Sequence, residues 1–330
     1  MRKFWPGIAL LPAFLAVWTS HDVIAQDARK VWRVGILWHA SNLQEEEVMF
    51  RPLVEGLQAL GYIEGKNLVF DHTFVDENFS RFQARATELV ERKADLILAS
   101  VYPAAAAANR VTKTVPIVFA ASGDPTKFGI VESLRRPGGN LTGFSLFLSE
   151  LATKQVEILR DVFPSMSHLG VIWNPANPDH SDALQEAERA AKAFKLQMTS
   201  AAVKSPDGLP EVFTTLEKAK VNAMIVFADS MLRVNHKPIV AFAAAKRLPT
   251  IFAAPDFVEA GGLVAYGACI PCNFRRSATY IDKIFKGGSP GDLPIELPAT
   301  FSLQINLKTA KALGVTVPPS ILLRADTVIE

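Results

Sequence analysis

One pattern constrains this chain more than any other. Short apolar strands alternate with amphipathic helices, and the alternation runs through once and then starts again. Residues 31–37 read as a buried strand, and 45–60 as a helix with Met49, Leu53, Leu57 and Leu60 on one face and Gly61 ending it. Further strands are expected at 68–75, 95–99, 116–121 and 141–146. Phe79, Phe82, Ala86, Leu89 and Val90 stripe one intervening helix, and an alanine-rich helix starts near Pro103. The second pass opens with a helix capped by Ser149, its inner face built from Leu151, Gln155, Ile158, Leu159 and Val162. Strands at 168–173, 196–203, 223–227, 249–253, 262–267 and 301–305 follow. Helices at 182–194, 209–219, 232–245, 274–285 and 306–313 lie among them. Such alternation makes parallel sheets covered by helices on both faces. The expected fold is α/β, with two Rossmann-like lobes and a seam near Gly143-Phe144-Ser145. No Pro- or Gly/Ser-rich linker separates the halves, which suits hinge closure around a ligand.

The amino end bears on the compartment. Arg2 and Lys3 precede an uncharged run over 4–18, and Val23 and Ala25 stand where a signal peptidase reads. That is a secretory signal layout over residues 1–25, cleaved after Ala25. The run of 15 apolar residues falls short of the roughly 20 that span a bilayer. The only cysteines are Cys269 and Cys272, so none follows the cleavage site to carry a lipid. A soluble periplasmic chain, without membrane insertion and monomeric, is the expectation. Formal charge is +2, and loss of Arg2, Lys3 and Asp22 with the signal leaves +1. A near-neutral surface gives no reason to bind nucleic acid or anionic lipid.

In open parallel sheets, ligands sit beyond the carboxyl ends of the strands, where helix starts leave amides unpaired. The residues there are therefore the candidate site. After the first strand stand His39, Ser41 and Asn42. After the third come Ser100, Tyr102 and Pro103. After the fourth come Ala121, Ser122 and Asp124, and at the seam Phe144 and Ser145. The second half adds Trp173 and Asn174, then Asp229, then Asp256, with Asn177, Ser230 and Phe257 beside them. Hydroxyls and amides suit a carboxylate or carbonyl, aspartates an ammonium or hydroxyl, and aromatic faces the apolar remainder. Each polar residue taken singly could equally be a helix cap, and Asp124 before Pro125 reads as a turn or cap.

These residues also carry a resemblance. PIVFAASGDP at 116–125 and PGGNLTGFS at 137–145 are similar to substrate-binding proteins of bacterial ABC importers, in particular the subfamily with tryptophan-binding members. GYIEGKN at 61–67, GVIWNP at 170–175, GGLVAYG at 261–267, DLPIE at 292–296 and INLKTAKALG at 305–314 fit it too. The resemblance spans 31–330 and implies a class I periplasmic-binding-protein fold with three interlobe crossings. It implies a first lobe of 31–145 plus about 268–297, and a second of 146–267 plus about 298–330. It places a ligand carboxylate on Ser100, Ala121 and Ser122, and an ammonium on Asp256. It also implies a membrane permease as partner. The sequence departs from the family at Tyr102 and at Cys269-Ile-Pro-Cys272. For that pair a disulfide, two free thiols, or a redox or metal site stay open.

Enzyme signatures are missing: no GxSxG, no GxxxxGK, no GxGxxG and no paired-histidine zinc motif. No cofactor is expected, and most of the six scattered histidines are expected at the surface. An Asp229–Asp256 pair for acid–base work is the one enzymatic opening. The leading function is capture of a small solute for an ABC permease, an aromatic or branched amino acid fitting best and a small aromatic acid or amide next. A ligand-binding sensor and an exported enzyme are the alternatives, and a repressor would need a DNA-binding segment where the signal stands.

Overall fold

In the computed structural model, residues 1, 30–127, 129–298 and 300–330 are described. The expected signal segment over 1–25, its cleavage site and His21 lie, apart from Met1, outside the described residues. Residues 31–330 form one compact unit.

The first half builds β1 (Trp32–Trp38), α1 (Leu43–Ala59), β2 (Leu68–Phe74), α2 (Phe82–Glu91), β3 (Leu96–Ala99), α3 (Tyr102–Val111), β4 (Ile117–Ser122) and β5 (Leu141–Ser145). These strands form one parallel sheet in the order β2-β1-β3-β4-β5. Buried on both faces, β3 and β4 are apolar throughout or nearly so. The α1 stripe points inward at Met49, Leu53 and Leu57, but Leu60 caps the helix and is exposed. On the other face Phe82, Ala86 and Leu89 of α2 join Ala104 to Ala108 of α3, all buried. Alanine there lets α3 lie close to the sheet.

The second half builds α4 (Leu148–Val162), β6 (His168–Trp173), α5 (Asp179–Ala193), β7 (Gln197–Ala202), α6 (Leu209–Ala219), β8 (Ala223–Val226), α7 (Ser230–Val234), α8 (His236–Ala245), β9 (Thr250–Phe252), α9 (Pro255–Glu259) and β10 (Val264–Ala268). Then come α10 (Ile270–Phe285), β11 (Phe301–Asn306), α11 (Leu307–Leu313), α12 (Pro319–Leu322) and β12 (Thr327–Ile329). The second sheet runs β12-β11-β10-β9-β8-β6-β7. It is not wholly parallel as expected, because β11 pairs antiparallel with β10, Ala268 opposite Phe301. The reason is the chain's path. It leaves the second sheet at the carboxyl end of β10, adds α10 to the first lobe, and re-enters at the same edge.

That excursion knits the lobes. α10 packs along α1 with Phe274, Ala278, Tyr280 and Ile281 buried. Tyr62 donates to Asp282 (3.0 Å), and Asn273 donates to the Ala120 carbonyl (3.2 Å). Phe144 is buried against Tyr280, ring centroids 5.0 Å apart. The chain crosses between sheets after β5, after β10 and before β11, and Ser145 N–H bonds the Glu296 carbonyl beside the first crossing. Cys269 and Cys272 form a disulfide at the start of α10, where Cys269 sulfur also accepts the Cys272 amide.

Some local expectations give way. Ser149 lies inside α4, whose cap position is Phe147 in left-handed backbone. The helix expected at 232–245 breaks at Asn235 into α7 and α8. The one expected from 182 begins at Asp179. Of the described histidines none is fully exposed: His39 and His180 are buried, and His72, His168 and His236 partly so. Among the described residues no helix is long and apolar enough to cross a membrane.

Gly143 in β5 has φ +154°, and a Cβ there would stand 2.1 Å from the Phe119 carbonyl oxygen. Backbone cannot yield as a flexible side chain does. Gly143→Ala is expected to lose about 1–3 kcal/mol of stability in urea denaturation, and an unchanged midpoint would refute this tight β4–β5 fit.

Candidate functional site

The carboxyl ends of the two sheets face each other across a cavity of about 870 Å³, its solvent-open mouth included. The β1 end contributes His39, with Glu46 and Met49 from α1. The β3 end contributes Ser100, Val101, Tyr102 and Pro103, and the β4 end Ala121 and Ser122. From the second sheet come Asn177 and Asp179 after β6, Asp229, Ser230 and Arg233 after β8, and Phe257 after β9. Phe79, Phe227, Ile270 and Phe274 complete an apolar lining.

Four polar side chains of this wall are deeply buried and short of partners. Ser100 and Ser122 are 3% and 2% exposed, and neither hydroxyl has a hydrogen-bond partner within the protein. Asp179, 6% exposed, accepts the Gly123 amide on Oδ2 (2.8 Å) but nothing on Oδ1. Glu46 is fully buried, and neither oxygen makes a hydrogen bond of good geometry, although His39 Nε2 lies 3.1 Å from Oε1. Buried polar atoms are nearly always satisfied, so this concentration around one cavity makes it the candidate place for a polar partner. α3 also starts here with no side-chain cap, its cap position being Val101, so the positive end of its dipole adds to Ser100 and Ser122.

Charges gather at two places. Beside β4, burial pushes the Asp179 carboxyl up to about 6; the Gly123 amide opposes this, while Asp182 and Asp124 reinforce it. Beside β1, His39 Nδ1 lies 3.0 Å from Glu77, Oε1, and Arg233 donates to Asp256 at 3.1 Å. Burial disfavours the His39 cation, yet the Glu46 and Glu77 carboxylates outweigh it and hold the His39 pKa above its ordinary value. His180 is the opposite case. Burial lowers its pKa, its Nδ1 accepts the Asn174 amide and its Nε2 faces the Ala228 carbonyl, so the network fits the neutral ring.

Contacts also join the lobes around the cavity. Besides Gly123 to Asp179, Lys127 pairs with Asp182 (2.7 Å) and Ser230 donates to Glu77 (3.3 Å). A Cβ on Gly123 would fall 2.0 Å from Asp179, Oδ1, so a larger residue there would displace the Asp179 carboxylate.

Of the residues expected from sequence, His39, Ser100, Tyr102, Pro103, Ala121, Ser122 and Asp229 line the cavity. Others are engaged elsewhere. Ser41 pairs with Asp76, and Asn42 caps α1 by accepting the Glu45 amide. Asp124 starts no helix; it closes a turn on Thr126 in an adjoining recess. Phe144 is core, Ser145 donates to the Gly123 carbonyl, and Trp173 packs on the core at the end of β6. Asn174 donates to Asp229, which also caps α7. Asp256, expected to meet a ligand ammonium, instead holds Arg233. With Asp229 capping a helix and Asp256 in an ion pair, the two do not form the acid–base pair considered above. Among the described residues no cluster suits a metal ion.

Glu46, Met49, Phe79, Asp179, Phe227, Arg233, Ile270 and Phe274 were missed as site residues. Glu46 carried a signal, lying three residues before Met49 on the core-facing stripe of α1, where a carboxylate is out of place. Asp179 hid because its helix begins earlier than its apolar pattern.

Comparison with known proteins agrees with this geometry. The chain is 27% identical over 298 residues to a tyrosine-binding protein of Clostridioides difficile, covering 89% of this chain and 84% of that one. An ABC domain in complex with L-Trp from Streptococcus pneumoniae superposes with TM-score 0.83 at 26% identity, over 90% of this chain and 99% of that one. A conserved domain protein of Vibrio cholerae gives 0.84 at 26%, over 91% and 100%. Two α/β lobes in this arrangement are the class I periplasmic-binding-protein fold. The sequence model of the ABC transporter substrate binding proteins matches residues 46–329, and this chain belongs to that family.

Proposed function

We propose that this chain captures an aromatic amino acid between its lobes and delivers it, in the periplasm, to an ABC permease without chemically altering it. The buried, unpartnered Ser100, Ser122 and Asp179 atoms carry the reading. An α-amino acid holds carboxylate and ammonium on one carbon, so their partners must be neighbours. Ser122 and Gly123 are consecutive, and Gly123 holds Asp179. The two hydroxyls and the start of α3 suit the carboxylate, and Asp179, Oδ1, the ammonium. Met49, Phe79, Phe227 and Phe257 then enclose the side chain. That two relatives are described with tyrosine and with L-Trp supports the class. The lobes, taken as 31–145 plus 268–297 and 146–267 plus 298–330, close around the solute, which touches both and stabilises the closed form. Asp256 serves this site indirectly, by fixing Arg233.

The direct test is a calorimetric panel of amino acids, aromatic acids, amides and sugars on protein stripped of solute by unfolding and refolding. Saturable binding of an aromatic amino acid is expected, and binding confined to sugars or other solutes lacking an ammonium would sink the reading. Asp179→Asn should weaken that binding about tenfold to a hundredfold. Protonation of Asp179 removes the negative charge an ammonium needs. Affinity should therefore fall as pH drops from 6.5 through about 6 toward 5. A profile as steep in Asp179→Asn would assign the dependence elsewhere. Gly123→Ala, whose methyl would meet the Asp179 carboxylate, is expected to cost at least tenfold in affinity with the melting temperature of the solute-free protein nearly unchanged; wild-type affinity would show that this contact is not part of closure.

A further inference from the structure

We infer that Glu46 reads a hydrogen-bond donor on the far end of the ligand's ring, so that the site selects aromatic amino acids bearing a ring hydroxyl or ring N–H over those bearing none. The inference rests on the amino-acid reading above and assigns a second end to the same cavity.

Position comes first. Along the carboxyl edge of the first sheet the order is β1, β3, β4. Ser122 and Gly123 follow β4, whereas Glu46 stands over the end of β1 beside His39. Neighbouring strands are about 5 Å apart, so the turn after β4, where Gly123 holds Asp179, and the end of β1, where Glu46 stands, are separated by about 10 Å along that edge. This is the reach of an amino acid with a ring substituted at its far side, counting a hydrogen bond at each end. Met49, one turn along α1 from Glu46, and Phe274 from α10 both line the cavity and give the ring apolar contact.

Chemistry comes second. Three carboxylates, Glu46, Glu77 and Asp256, share the β1 end with two bases, His39 and Arg233. Glu77 is used by His39 and by the Ser230 hydroxyl, and Asp256 by Arg233. Glu46 has His39 near one oxygen and no partner for the other, while fully buried. A carboxylate in that state asks for a donor, and a ring without one would leave it desolvated and unmatched. Were Glu46 there only to anchor His39, it would affect every ligand equally.

The experiment is calorimetric titration of refolded, solute-free protein with L-tyrosine, L-tryptophan and L-phenylalanine. L-phenylalanine is expected to bind at least about tenfold more weakly than the better of the other two. In Glu46→Met the gap should shrink to within about threefold, the donor-bearing ligand losing more than L-phenylalanine. Equal affinities in the unaltered protein, a gap that survives Glu46→Met, or an equal loss for all three ligands overturns the role given to Glu46 while leaving the amino-acid site standing. If none of the three binds and another solute does, both readings fall. Should Glu46→Met not fold, the comparison in the unaltered protein still decides, with Glu46→Gln expected to narrow the gap in part.

Discussion

The molecule depends on where parallel strands end. A parallel sheet delivers all its helix starts, with their unpaired amides, to one edge, and here two such edges face each other. On the proposed function, the groups that would close the protein and the groups that would hold a solute are therefore drawn from the same few turns. Asp179 is placed for both: one carboxylate oxygen accepts the Gly123 amide across the cleft, and the other is buried at the cavity without a partner. The β10-to-β11 excursion makes this possible, since it places α10 on the first lobe and hands Ile270 and Phe274 to the wall between them.

Much of this architecture was readable before any coordinates, because period-2 and period-3.6 apolar patterns report burial directly. The stripe Leu53, Leu57 and the runs at β3 and β4 are examples. What could not be read was direction within the second sheet. β11 looks like any other strand in composition, and its antiparallel pairing follows from a tertiary detour that no local pattern encodes. The cavity lining was legible where the residue stands at or just after a strand end, as at Ser100 and Ser122. It was misjudged where a polar side chain has a nearer use. Asn42 is consumed as a cap and Asp256 as a partner for Arg233, and nothing in the sequence announces which cap is free. Side chains reaching in from helix flanks, such as Arg233 and Phe274, were invisible for the complementary reason: their stripes read as core.

The unpartnered oxygens bear on energetics as well as recognition. Of the polar contacts across the cavity, Lys127–Asp182 is solvent-exposed, so it contributes little. Each buried polar group left unmatched costs about 1–3 kcal/mol. A shut but empty cleft is thus penalised at Ser100, Ser122, Asp179 and Glu46 together. A solute that satisfies these atoms removes the penalty and adds apolar contact with the aromatic lining. A ligand shifts a conformational equilibrium only by its differential affinity for the two states. On the proposed function, groups orphaned in the shut cleft would supply that difference for a matching solute and withhold it from a poor one. On this argument, selectivity and closure are one property, set by the same four side chains.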